Sequence, residues 1–166
     1  MKITDRFLAG IVLGILLLVG VAFGLTLLRP QPAFEPDGPP EAATHNYLLA
    51  LRQAAYDRAY GYLSPDLAGY PATSEGFARN IRDNRWDFGL DESSITLDIV
   101  STQVVGDRAT VSVRETRFVQ GGLFDSGQST VVFDVLLQRV SPSPTWLIVE
   151  SGGYWAKCWN TRDGCP

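Results

Sequence analysis

The sequence has little of what builds a metal or redox centre: one His, two Cys and one Met in 166 residues. One His and two Cys cannot complete a four-ligand zinc site, and Cys158 and Cys165 do not have the spacing of a CxxC redox motif. No cofactor and no metal are therefore expected. Cationic charge is scarce too, with 14 Lys and Arg against 18 Asp and Glu and a formal net charge of -4. Neutralising phosphates demands the opposite balance, so no nucleic-acid partner is expected. No internal repeat is present, and the length suits about one domain with appendages.

What the chain does have is one long stretch without charge. Phe7 to Leu28 reads FLAGIVLGILLLVGVAFGLTLL, with Thr26 as its one polar side chain. As a helix it rises about 33 Å, against roughly 30 Å of hydrocarbon. The run predicts a transmembrane helix over 7–28 in contact with the lipid bilayer. It is too long for a cleaved signal peptide, whose apolar region is about 7–15 residues. Lys2 and Arg6 precede it, while Arg29 and then Glu35, Asp37 and Glu41 follow. That asymmetry places residues 1–6 in the cytoplasm and everything beyond the helix outside it, in a single-pass protein of the cell (inner) membrane. Gly10, Gly14, Gly20 and Gly24 give two GxxxG spacings, through which a homodimer is expected as one possibility. Residues 29–40, RPQPAFEPDGPP, predict a semi-rigid extended spacer because proline fixes φ and removes donors.

Residues 41–166 read as one extracytoplasmic α+β domain. Leu48, Leu51, Ala55, Ala59, Tyr62 and Leu63 recur at helical steps, which predicts a helix over about 41–63. Ser64-Pro65 ends it and caps a short second helix. A third starts near Thr73 or Ser74, buries Phe77, Ile81 and Trp86, and stops at Gly89. The period then changes to two, with strands at 95–101, 109–118, 129–140 and 145–150. Helices first and strands after predict three helices packed on a curved antiparallel sheet of about four strands.

Three segments, NYLLALRQAAYDRAYGYLSPDL, SEGFARNI and TWLIVE, set in this order make residues 42–152 resemble the nuclear transport factor two-like superfamily. The resemblance implies a cone-shaped α+β fold that encloses a pocket. It implies no single activity, since that cone serves isomerases, dehydratases, transport factors and inactive accessory domains. Isomerases of this kind use pocket carboxylates as general base and oxyanion donor, so strand parity decides which acids qualify.

Val131, Phe133, Val135 and Leu137 form one face of their strand and Ile95, Leu97 and Ile99 one face of theirs, which turns Asp134 and Asp98 away from the core. Glu115 and Arg117 share a face with Val111 and Val113 and read as a ligand-orienting pair at the wide end, with Arg139 in the same parity. A bulged or solvated sheet end is the competing expectation. Tyr60 and Trp86 complete the ligand-binding candidates, and no residue is assigned a catalytic role. His45 stands alone and reads as solvated. Arg79, Arg82 and Arg85 offer an anion patch, but Asp83 and Asp87 interleave and predict i,i+4 pairs on a solvated face. Cys158 and Cys165 predict a disulfide that fixes the tail in an oxidising compartment. Trp155 and Trp159 beside it pack under the sheet or present a contact surface.

Three functions fit. The first is a non-catalytic binding domain for an unknown protein or small apolar ligand. The second is a scaffold subunit similar in plan to inner-membrane components of type IV secretion machines. The third is an isomerase or dehydratase using Glu115, Arg117 and Tyr60.

Overall fold

A computed structural model describes residues 3–27, 32–89, 94–121, 125–140 and 145–165. The chain divides into two compact units, Met1–Ala33 and Phe34–Pro166. In the first, α1 runs Ile3–Leu27. Its described side chains extend from Gly10 to Gly24, and the large apolar ones among them are exposed around the helix. Among the described residues no helix is long and apolar enough to cross a membrane. Phe7 and Leu28, the ends expected for a spanning segment, lie outside the described side chains.

The second unit contains α2 (Pro40–Arg52), α3 (Tyr56–Tyr60), α4 (Ser74–Asp83) and α5 (Arg85–Phe88). Four strands follow: β1 (Ile95–Val105), β2 (Arg108–Gly121), β3 (Asp125–Arg139) and β4 (Trp146–Ser151). They pair in the order β1-β2-β3-β4, each antiparallel to the next. A 3-10 turn, Lys157–Asn160, follows the sheet. This is an α+β domain with a four-stranded antiparallel sheet.

The single helix expected over 41–63 is two helices. Ala54 adopts φ 53°, and around it Gln53 N–H donates to Leu49 O at 3.0 Å and Ala55 N–H to Ala50 O at 2.8 Å. Such bonds absorb the last carbonyls of a helix that ends through a left-handed residue, here an Ala where Gly is usual. The short helix expected after Ser64 is a turn, in which Asp66 N–H donates to Ser64 Oγ at 3.3 Å. Leu63 instead bridges to Ile148 in parallel, which ties the helical layer to β4.

The third expected helix is also divided. Thr73 caps α4, its Oγ1 accepting from Gly76 N–H at 3.1 Å. Asn84 then leaves helical geometry at φ -108° and ψ 45°, and α5 restarts with a changed phase. Phe88 is buried as a result, whereas Trp86, expected in the core, is 98% exposed. Gly89 ends α5 in the left-handed region, as expected.

Part of the expected spacer belongs to the domain. The fully buried Asn46 accepts from Glu35 N–H at 2.8 Å and donates to Glu35 O at 2.9 Å and to Asp37 Oδ1 at 3.2 Å. Phe34 packs against the core and carries the Arg58 guanidinium 3.4 Å from its ring centroid. An amide that pairs both ways with one backbone residue fixes extended chain as a strand neighbour would. Residues 28–31 of that spacer lie outside the described residues.

The sheet buries Val111, Val113, Phe133, Val135, Leu137 and Ile148 against α2, α4 and the C-terminal aromatics. Asp98 and Asp134 face outward, and Ser112 Oγ donates to Asp134 at 2.6 Å. Bulges interrupt the register between Ile99 and Ser101 and between Leu136 and Leu137. Val131, expected in the core with Phe133, Val135 and Leu137, shares the inner parity but is 58% exposed.

Candidate functional site

Strand β2 passes Val113, Glu115 and Arg117 in unbroken register, opposite Ile99, Leu97 and Ile95 on one side and Phe133, Val131 and Ser129 on the other. The bulge that competed with this reading is absent here. Alternation therefore keeps both charges on the inner face, where Arg117 Nε donates to Glu115 Oε1. The Glu115 side chain is 12% exposed, so most of its hydration has been replaced by protein. Gly89 makes room for the pair, since a Cβ there would stand 3.0 Å from the Arg117 guanidinium.

Tyr154 completes this cluster and was missed from the sequence. It is buried, with φ 56°, and its phenol is pushed well above the usual tyrosine range by burial and then by the Glu115 carboxylate. Arg117 and Arg52 oppose that shift. Arg52, at the end of α2, donates to Ile95 O and so pins the start of β1. The one sequence signal for Tyr154 was the pair of glycines before it. A Cβ on Gly153 would stand 3.1 Å from the Phe133 ring, so that backbone approach needs glycine. The cluster sets a carboxylate paired with its own cation beside a phenol that burial keeps protonated.

The remaining candidates stand apart. From Val131, opposite Glu115, to Arg139 the strand covers about 26 Å at about 3.3 Å per residue. Arg139 sits over the Trp146 ring instead, 4.5 Å from its centroid. Tyr60 donates to Pro71 O at 2.9 Å and packs on Tyr70 and Phe77. Trp86 projects into solvent.

Under the sheet, aromatic side chains occupy the space. Trp159 is fully buried, stacked on Phe77 at 5.3 Å and edge-on to Trp155 at 4.8 Å and Phe88 at 5.8 Å. Trp155 Nε1 donates to Asn160 Oδ1 at 3.1 Å, whereas Trp159 Nε1 has no hydrogen-bond partner among the described residues. Cys158 and Cys165 form a disulfide-capable pair with Cα atoms 4.9 Å apart, closing the loop that carries Trp159.

Open space lies at the junction with the spacer. A cavity of about 420 Å³ is lined by Pro39, Ala43, Tyr62 and Trp146, with Asp37, Asp57 and Arg58 also in its wall. Tyr62 donates to Asp37 Oδ1 at 2.9 Å, and burial followed by this bond raises the phenol's pKa. The sequence places Asp37 and Pro39 in a semi-rigid extended spacer, so this wall is not legible from it.

No protein-family model matches the chain, and no curated protein matches it. Solved structures do show likeness. A putative calcium/calmodulin-dependent protein kinase type II association domain from Thiobacillus denitrificans is similar at TM-score 0.47 and 19% identity, covering 70% of this chain and 95% of its own. An NTF2-like protein with a cystatin-like fold from Novosphingobium aromaticivorans is similar at TM-score 0.43 and 13% identity, covering 66% and 74%. A SEC-C motif containing protein from Rhodopseudomonas palustris gives TM-score 0.46 and 14% identity over 69% and 77%.

Proposed function

We propose that this chain is a single-pass, membrane-anchored protein whose Phe34–Pro166 unit is a non-catalytic binding module of nuclear transport factor two-like type, working outside the cytoplasm. The carrying observation is how the interior is used. Phe77, Phe88, Trp155 and Trp159 fill the space under the sheet, and Glu115 is answered by Arg117, so the inner face is committed to packing. The cavity against Tyr62 and Trp146 is where a small apolar ligand or an apolar side chain of a partner protein fits, with Asp37 and Arg58 supplying polarity at the wall.

Anchoring is supported by the uncharged run from Phe7 to Leu28 and by the exposure of apolar side chains around α1 from Ile11 to Phe23, since a helix apolar on all sides needs a non-aqueous neighbour. Gly10, Gly14, Gly20 and Gly24 have open space where a Cβ would be, which suits close approach of a second copy.

Two measurements test this. Carbonate extraction and protease protection of the native membrane should leave the chain membrane-bound with Phe34–Pro166 accessible from outside; recovery in the aqueous fraction, shortened near Gly24, would defeat the anchored reading. For binding, a panel of apolar ligands should raise the melting temperature of the full-length protein. Trp146→Ala should abolish that shift, and a shift that survives the substitution would place binding elsewhere.

A further inference from the structure

A second cavity, of about 430 Å³, lies between the segment from Gly69 to Ala72, α4 and the C-terminal loop. Two guanidinium groups line it, Arg79 from α4 and Arg162 from the loop, against one carboxylate, Asp163. Neither arginine has an ion-pair partner among the described residues, and the i,i+4 pair expected between Arg79 and Asp83 does not form. The nearly buried Asn80 adds an amide to the wall. The cavity thus sets two cations against one carboxylate on an acidic protein, with neither arginine ion-paired among the described residues.

The backbone around it is held in place. A Cβ on Gly69 would stand 2.2 Å from Thr161 O and 2.8 Å from Gly164 Cα, so the two main chains touch where they cross. Gly69 and Gly164 have φ of 84° and 70°, and Gly164 N–H donates to Thr161 O at 3.2 Å. The loop bearing Arg162 is closed by Cys158 and Cys165 and rooted in the core by Trp159. A cation presented from fixed backbone loses less entropy on binding than one on free chain.

We propose that this cavity binds a phosphate-type oxoanion between Arg79 and Arg162. Planar guanidinium forks match tetrahedral oxoanions bidentately, and two of them from different elements fix orientation as well as charge. The anion comes either from a free phosphate group or from the headgroup of an anionic lipid. The site lies wholly within Phe34–Pro166 and stands or falls separately from the cavity at Trp146.

The test is calorimetric titration of inorganic phosphate into the full-length protein, held in nanodiscs of phosphatidylcholine or of phosphatidylglycerol. Saturable binding is expected in phosphatidylcholine, weakened about tenfold or more by Arg79→Gln and by Arg162→Gln. Arg82→Gln should leave it unchanged, because Arg82 is exposed and does not line the cavity. Binding lost only in phosphatidylglycerol identifies the headgroup as the occupant, and equal binding in both identifies free phosphate. Cys158→Ser with Cys165→Ser should weaken binding by loosening the loop. Melting curves check that the variants fold, which is expected because both arginines are exposed. No heat in phosphatidylcholine, or Arg79→Gln and Arg162→Gln proteins that fold and bind as the parent does, would overturn the proposal.

Discussion

The buried hydroxyl of Tyr47 donates to the main-chain carbonyl of Tyr154 at 3.0 Å, across 107 positions of sequence. Tyr154 has φ 56°, a region that costs a residue with a Cβ roughly 1–2 kcal/mol. The bond joins α2 to the turn after β4 and holds that conformation beneath the Glu115–Arg117 pair. Tyr47→Phe keeps the ring and leaves the carbonyl unpaired in the core. It should lower unfolding free energy by about 1–3 kcal/mol, read by urea denaturation. An unchanged midpoint would mean that the turn is held by packing alone.

Ala54 occupies the left-handed position that ends α2 and is exposed. Ala54→Gly removes a Cβ clash without removing a contact. A gain of about 1 kcal/mol is expected, since relief of the clash outweighs glycine's added freedom in the unfolded chain. Destabilisation of that size would contradict the assigned backbone geometry.

Trp86 and Phe88 stand two residues apart and should behave oppositely. Phe88→Ala empties space beside Trp159 and should cost about 3–5 kcal/mol. Trp86→Ala should alter stability by no more than about 0.5 kcal/mol, because its side chain is already in solvent. A large loss at Trp86 would show that its surface is covered in the native assembly.

Opening the Cys158–Cys165 loop, with a sequence separation of 7, frees the unfolded chain by about 2.5 kcal/mol in the loop-entropy description. Cys158→Ser with Cys165→Ser should lower stability by that order, and reductant should do the same to the parent but not to the variant. Equal melting of oxidised and reduced parent protein would remove the cross-link from the account.

Alkali should unfold the domain before its phenols ionise freely. Tyr70 is pushed up to about 12 by burial and by its bond with Tyr60, and Tyr47, Tyr62 and Tyr154 are raised as well. The folded state therefore holds protons that the unfolded state releases near pH 10. The stabilisation is complete below about pH 10 and is lost as pH rises toward 12 and beyond. Denaturation midpoints measured against pH, with phenolate absorbance, should show the loss. Six tyrosines titrating together near 10 in a protein that stays folded would refute it.

Much of the sheet was legible because its code is short-range. Alternation in 129–140 gave Phe133, Val135 and Leu137 their buried side and Asp134 its outward one, and the same parity joined Glu115 to Arg117. Helix ends were less legible. The break after Arg52 rests on Ala54, a residue with no turn preference, and the phase change at Asn84 moved Trp86 from core to solvent. The candidate site was legible only in part, since Tyr154 reaches Glu115 through a turn whose course depends on Phe133 lying against Gly153.

Sequence alone determined the period of each segment, the uncharged run before the domain, the excess of acid over base and the scarcity of metal-binding side chains. These follow from composition and from repeats that each segment carries within itself. Tertiary structure decided which like-facing residues meet. Arg139 shares the parity of Glu115 yet stands about eight residues away along β3, about 26 Å at the rise of a strand. Asp37, read as part of a spacer, became a wall where the buried Asn46 holds the Glu35 backbone and the Asp37 carboxylate. Proximity across a fold is set by packing and by the pairing of buried polar groups, and neither is written into any one segment.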